Sequence, residues 1–509
     1  MIAAVKQPHE RLRAGILGPD GRPFASAPAR KQLDDLGGRA VHVRGTYDAA
    51  RESDHTKNYW ANADNYSADS ANSKEVRAKL VSRARYETAN NPYVAGIVET
   101  HANYLIGTGP LLRMQTGNEG FNQAIEAVFT KWAAEIRLQA KLWTMAHAKT
   151  QDGESFGIVA TNPKLRTRVK LDIILVETDQ VTTPQLAAND TNYIDGIKFD
   201  DFHNPLYYDV LPQHPGGQWG GYQQPNKINA QYMLHWFRAR RPGQHRGIPE
   251  LAASLNCGAA SRRWREAILV AAESAADFAV LLQTTMSPDE ADLVQPFSTA
   301  QISKGMMAAL PWQYDAKQLD AKHPNSTFVE FHKAQISEQA RPLNMPYNVA
   351  ACDSSSYNYA SGRLDHQTYF SSLDVEREQA QFQVLDKLFD LFWAEAVEEY
   401  AFNSPAGSIP AHTWDWPQHP VADVRAKAIA DNFALRNGSI TIPQLFADQG
   451  YDAEEQAQAA ADYFGIPIEQ YKLRQLDTLL PVTTPPAGPD AASQAESQDQ
   501  LDQLQEAAQ

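Results

Sequence analysis

The spacing of apolar and polar positions changes several times along the chain, and each change marks an element. Residues 73–89 predict a helix, and Asn91 caps a second helix with Pro92 at its first position and Gly107 and Gly109 beyond its end. Further helices are predicted over 119–135 and 138–150. After the turn Asp152-Gly153, strand-like segments follow at 156–161, 169–176, 194–199 and 206–211. This stretch is α+β.

Two long rods come next. The first follows Gly247, with Pro249 at its start and Glu250 where the helix dipole favours an acid, and is expected to reach about residue 283. At 1.5 Å per residue that is roughly 50 Å. Its alanines, Ala271, Ala272, Ala275, Ala276 and Ala279 among them, let neighbouring helices approach closely; a helix buried inside one subunit explains them as well. The second rod spans 357–400, where Leu385, Leu388, Phe389, Phe392, Trp393, Ala396 and Val397 follow the spacing of a packed stripe. Between the rods, 284–331 holds Pro288, Pro296, Pro311 and Pro324, with strands expected near 307–310 and 327–331. It reads as a small subdomain carried on two helical stalks.

Both ends differ from this middle. Residues 1–70 are rich in Gly, Pro, Asp, Asn and Ser and read as an arm. From Asp477 onward there is no Lys or Arg, and four prolines precede a run of Ala, Gln, Ser and acids. That composition cannot bury enough apolar surface to offset ordering entropy, so a disordered acidic tail is expected.

Composition narrows the function classes. Apolar residues make up 43% and charged residues 21% of the 509, ordinary proportions for a globular chain. No long uncharged apolar run and no signal-peptide stretch occurs, so a soluble protein used in a cytoplasm is expected. Cys257 and Cys352 are too few for a disulfide framework or a zinc cluster. A formal charge of −15 argues against a protein that coats DNA, though a conduit for DNA would gain from a wall that does not hold its cargo.

Catalytic constellations are missing. We find no phosphate-cradling glycine loop, no H-E-x-x-H, no paired C-x-x-C and no nucleophile elbow, and expect neither catalytic residues, nor cofactor, nor metal. Asp152 and Glu154 flank Gly153 as a conceivable metal-binding acid pair, but Asp-Gly is also ordinary turn chemistry. His101, His147, His235 and His245 are scattered among different elements and read as core or surface residues. The run Arg238, Arg240, Arg241 and Arg246, continued by Arg262, Arg263 and Arg265 on the first rod, asks for a partner. Ion pairs with acids of neighbouring subunits are the favoured reading. A belt facing DNA phosphates and a solvated face are the others.

Five stretches in order resemble the lambda-type portal proteins of tailed phages. They are Arg85 through Asn90-Asn91-Pro92 to the glycines at 107 and 109; Asp152-Gly153-Glu154-Ser155-Phe156; Arg241-Pro242-Gly243-Gln244-His245-Arg246-Gly247-Ile248-Pro249; Asn344-Met345-Pro346-Tyr347 with the Asp353 to Arg363 run; and 414–427. The resemblance covers roughly 70–475.

The resemblance implies a division of the α+β chain into an arm (1–70), a wing (71–247), a stem helix (248–283), a small α/β clip (284–331), a second stem helix (332–349), a tunnel loop (350–357), a long wing helix (358–403), a wing return with a helical crown (404–476) and a tail (477–509). It implies a closed homo-oligomeric ring, usually of twelve, at one vertex of the virion head, assembled in the bacterial host cytoplasm and conducting double-stranded DNA during packaging and ejection. Asp353, Ser354, Ser355, Ser356 and Tyr357 would face that channel; an ordinary loop with Asp353 as helix cap is the competing description. Arg262, Arg263, Arg265, Glu266 and Glu273 would lie at subunit interfaces of the stem. Trp312, Gln313 and Tyr314 would dock the terminase large subunit, unless they pack the clip's own core. Implied partners also include a head-completion or tail adaptor protein, the major capsid protein and scaffold, with no membrane. The rival readings are a metal-dependent nucleic-acid hydrolase using Asp152 and Glu154, and a head or tail adaptor without a DNA channel.

Overall fold

A computed structural model describes residues 58–183, 192–217, 223–277, 281–284, 314–317, 328–355, 357–402, 408–420, 424–448, 451 and 453–479. The chain divides into two units after residue 65. Of the first, 58–65 are described and form turns, with Tyr59 edge-on to Trp60. The second unit holds the elements below.

Helices begin where the sequence places caps. The short α1 (Ala68–Ala71) precedes α2 (Lys74–Asn90), capped by Ser73, and α3 (Pro92–Ile106), where Asn91 Oδ1 accepts the Tyr93 N–H and Gly107 ends the helix at φ 55°. Strand β1 (Leu111–Met114) leads to α4 (Glu119–Glu135) and α5 (Leu138–Asp152), which ends on Gly153 at φ 92°. Then come β2 (Glu154–Thr161), β3 (Leu171–Val176), β4 (Tyr193–Ile194), β5 (Ile197–Phe199), β6 (Pro205–Val210), β7 (Asn226–Asn229) and β8 (Met233–Phe237). They form two antiparallel sheets, ordered β3-β2-β8 and β4-β5-β6-β7. The single strand expected over 194–199 is a hairpin, because Asp195-Gly196 turns the chain there.

The first rod is shorter than expected. Residues 252–254 make a single 3₁₀ turn and α6 runs Leu255–Asp277, about 35 Å at 1.5 Å per residue, while 281–284 form a strand, β9 (Leu281–Thr284). The expected continuous stem over 248–283 is therefore corrected at both ends. Strand β10 (Tyr314–Lys317) pairs antiparallel with β9. The strand expected at 327–331 is instead the start of α7 (Phe328–Ala340), so that helix begins inside the segment assigned to the clip; the strand expected near 307–310 lies outside the described residues.

After α8 (Tyr347–Ala351) the second rod consists of α9 (Tyr359–Ala380), one π-helical turn over Gln381–Leu385, and α10 (Asp386–Tyr400). The widened turn is fastened to β8: Gln383 Oε1 accepts the Phe237 N–H at 3.0 Å, and Lys387 Nζ donates to the Ala230 and Met233 carbonyls. Strand β11 (His412–Asp415) returns to pair with β1, and α11 (Val424–Arg436), α12 (Ile442–Asp448), α13 (Ala453–Phe464) and α14 (Ile468–Leu479) follow. Helix α14 continues to Leu479, into the stretch assigned to the tail; 480–509 lie outside the described residues.

The main core is aromatic. Phe129 and Trp132 of α4 meet Phe392, with ring centroids 5.0 and 4.8 Å away, and Phe129 lies 5.5 Å from Trp414. Of the predicted stripe, Leu385, Leu388, Phe389, Phe392, Trp393 and Ala396 are all buried. A second, smaller core between the two sheets gathers Phe156, Ile197, Phe199, Tyr208 and Met233. No described helix is long and apolar enough to cross a membrane.

Candidate functional site

Two motifs separated by about ninety residues meet at the root of the first rod. A Cβ on Gly153 would lie 2.2 Å from the Ile248 carbonyl carbon, and one on Gly247 would lie 2.2 Å from the Gly153 oxygen. Only paired glycines allow that approach.

Beside this contact, Glu154 is 1% exposed. Arg246 reaches its carboxylate with Nε at 3.0 Å and Nη2 at 2.7 Å, the Gly247 N–H donates at 2.8 Å, and Thr178 Oγ1 and His235 Nε2 complete the shell. Arg246, itself 1% exposed, also donates to the carbonyls of Val181 and Asp195, while Arg77 pairs with the Asp195 carboxylate. Burial pushes the Glu154 pKa up, but Arg246, His235 and Arg77 outweigh it and hold the group well below the carboxylate range. Arg77 is brought down to about 10 by burial and by neighbouring Arg246.

A second buried network lies one turn further on. Lys149, fully buried, donates to Glu250 Oε1 at 3.2 Å and Glu376 Oε2 at 2.7 Å. His101 lies between Tyr369 Oη and Glu376, and Arg240 pairs with Glu250. Burial opposes ionisation of all three central groups, yet their mutual attraction wins: the Lys149 pKa is raised and those of Glu250 and Glu376 are lowered. Helices α5 and α9 and the segment entering α6 are thus joined by charge. Segment 248–254 does not become α-helix because it is held on both sides, the Glu250 N–H donating to the Thr150 carbonyl at 3.2 Å.

From this root α6 runs antiparallel to α7. Cys257 Sγ lies 3.3 Å from Glu338 Oε2, Ser261 Oγ 3.1 Å from Gln335 Oε1, and the Trp264 ring stacks on Phe328 at 5.1 Å and meets Phe331 at 4.8 Å. Beyond Trp264, Leu269 and Val270 are 60% and 53% exposed. The rod is therefore not the sealed centre of a globule.

The loop after α8 begins with Cys352 in the left-handed region. Asp353 does not cap α9. Its Oδ1 accepts the Ser355 N–H at 2.9 Å in a local turn, and Asn358 makes the helix cap to Ser361 N instead. Ser354 and Ser355 are exposed, Tyr357 is half-buried, and Lys333 of α7 lies over the rings of Tyr347 and Tyr357. Ser356 lies outside the described residues.

The other expected site residues divide. Arg240, Arg246 and Arg262 pair with carboxylates of their own chain, Glu250, Glu154 and Glu87. Arg265 lies over the Tyr93 ring with Nη2 3.3 Å from Asn91 Oδ1. Arg263, Glu266 and Glu273 are exposed. Tyr314 begins β10, whereas Trp312 and Gln313 lie outside the described residues. The acids imagined as metal ligands are occupied by cations, Asp152 by Arg85 at 2.6 Å and Glu154 by Arg246. Glu177, Asp179 and His214 do cluster within 4.8 Å, but Arg85 already reaches Asp179 at 2.8 Å and Glu177 at 3.3 Å. Sequence reasoning missed Lys149, whose signal was a cation in line with the buried Leu142, Met145 and Ala146 of α5, and Glu376, which sits beside the buried Arg377 and gave no such signal.

An α+β body holding an antiparallel helix pair by a buried charge network defines a class of scaffold. Residues 54–377 match the sequence model of a family described as "Phage portal protein, lambda family", and the chain belongs to that family. It is 24% identical over 364 residues to the "Probable portal protein" of Halomonas phage phiHAP-1, covering 66% of this chain and 68% of that protein. Solved structures similar to it include "Neck of empty GTA particle computed with C6 symmetry" (TM-score 0.46, 14% identical, 76% of this chain and 94% of that one) and "Neck of native GTA particle computed with C12 symmetry" (TM-score 0.42, 16% identical, 76% and 93%). The family match ends at residue 377, so the likeness read at 414–427 lies beyond it.

Proposed function

We propose that this portal protein closes into a ring of twelve at one vertex of a phage head, conducts double-stranded DNA inward during packaging and outward during ejection, and docks first the terminase and then a head-completion protein at the clip end. The observation that carries this reading is the α6/α7 pair, rooted in two buried charge networks and leaving Leu269, Val270 and Val329 exposed along its outer part. Identical rods of this kind bury such surface when a heterologous interface closes on itself.

In this reading Asp353, Ser354, Ser355, Ser356 and Tyr357 face the bore. Small polar and acidic groups there give phosphates no deep well in which to stop. Arg263, Glu266 and Glu273, exposed on α6, supply charge to the interface between neighbouring stems. The chain performs no hydrolysis; force comes from the docked motor.

Native mass spectrometry with negative-stain imaging tests this. Twelve copies of the 56.5 kDa chain give about 680 kDa and a particle with a central hole. A monomer that stays a monomer in the presence of its scaffold and capsid proteins contradicts the reading.

A further inference from the structure

No other seven-residue window of the chain holds as many Lys and Arg as the loop between β2 and β3. Lys164, Arg166, Arg168 and Lys170 fall within seven residues that contain no acid, in a chain of net charge −15. Exposure alternates along it: Lys164, Arg166 and Arg168 are exposed, while Thr167 and Val169 are buried.

The nearby acids do not cancel these charges side chain to side chain. Glu135 Oε1 accepts the backbone N–H of Arg166 at 3.1 Å, and Glu395 Oε1 accepts that of Lys170 at 2.6 Å. Both carboxylates are thereby turned onto the loop's backbone. Arg168 has its guanidinium carbon 5.1 Å from the Tyr400 ring centre and Nη1 on the Glu399 carbonyl, Lys170 Nζ donates to the Leu165 carbonyl, and Asn162 Oδ1 accepts the Lys164 N–H. The loop is therefore fixed before any partner arrives, which lowers the ordering cost of binding.

We infer that the 162–170 loop is a phosphate-contacting site for duplex DNA, engaged through Lys164, Arg166 and the outward edge of Arg168. The inference rests on the portal reading only in taking duplex DNA as the cargo. Charge density favours DNA over an acidic protein segment. The chain's own acidic stretch, 480–509, spreads five carboxylates over thirty residues, whereas a duplex presents one charge per ~1.7 Å of axis. Closely spaced cations on a fixed loop match the second.

The test is fluorescence anisotropy of a labelled 30-bp duplex with the assembled full-length protein, over a salt series. The double variant Lys164→Gln/Arg166→Gln should weaken binding about tenfold at low salt and reduce the slope of log K against log salt by about two, one for each phosphate no longer neutralised. The charge-preserving pair Lys164→Arg/Arg166→Lys should keep wild-type slope. Unchanged affinity and slope in the Gln pair overturns the inference, as does equal weakening in the charge-preserving pair. Lys164-dependent binding of a synthetic 480–509 peptide without duplex binding overturns it too, in favour of the acidic segment. Ring mass measured on the same samples separates the two readings, because an intact ring with unaltered duplex binding removes this site and leaves the portal reading standing.

Discussion

The backbones around Gly153 and Gly247 pack so closely that a Cβ on Gly247 would lie 2.2 Å from the Gly153 oxygen, and one on Gly153 would run into the Ile248–Pro249 peptide. This contact lies at the segment by which the chain enters α6. Gly247→Ala should force the two segments apart and cost about 1–3 kcal/mol or more. Gly153→Ala adds the strain of a left-handed backbone at φ 92°. Thermal unfolding of Gly153→Ala, compared with Gly243→Ala, which has a similar left-handed φ of 74° but nothing within 4 Å of the added Cβ, separates the packing cost from the backbone strain.

Arg246 and Glu154 are a buried pair, and removing one partner strands the other. Arg246→Met should destabilise the body by about 3–5 kcal/mol, because Arg77 and His235 alone do not replace a bidentate guanidinium. Chemical denaturation reads the loss directly. A change under 1 kcal/mol would show that the network is not the anchor described.

Acid should loosen the same region. The pKa values of Glu154, Glu250 and Glu376 are lowered in the fold from an ordinary 4.5, so the stability they contribute is present above that value and is lost as pH falls below it. Burial lowers the His235 pKa, so the folded state also resists its protonation and loses stability as pH drops through the ordinary imidazole value of 6.5. Asp152, whose pKa is raised by burial, opposes the trend. Urea midpoints should therefore decline modestly from pH 7 to 5.5 and steeply below 4.5. Lys149→Met should lower stability at pH 7 and flatten the acid limb, because Glu250 and Glu376 then lose the cation that keeps them ionised.

Trp264 joins α6 to α7 where the pair leaves the body. Trp264→Ala removes stacking on Phe328 and the edge contact with Phe331, interactions worth ~0.5–1.5 kcal/mol each beyond area burial. Hydrogen exchange should accelerate in 260–277 and 328–335 and stay at wild-type rates in α4 and α10. Uniform acceleration would place Trp264 in the global core instead.

Local signals carried much of the fold. Asn91-Pro92, the glycine at 107 and the period of 385–397 point to α3 and α10 from neighbouring residues alone, because caps and amphipathic spacing act within a few turns. Strand β8 escaped because Met-Leu-His-Trp is a run buried on both faces, without the alternation that marks a half-exposed strand. The start of α6 at Leu255 was hidden for a different reason. Pro249 and Glu250 are good helix-opening residues, but their segment is held by tertiary bonds to Thr150 and Lys149. The pairing within the charge networks stayed hidden because Glu154 and Arg246 lie 92 positions apart: the acid reads locally as part of a turn and the arginine as one of a basic run, with nothing nearby to join them.

The central claim is that α6 and α7, repeated around an axis, enclose a passage for a duplex. Cryo-electron microscopy of the assembled particle measures this most directly. The account predicts a closed ring in which these two helices line the bore and residues 350–357 project into it. A ring whose bore is lined by other elements, with α6 sealed at the periphery, or a bore too narrow for a duplex, would contradict it.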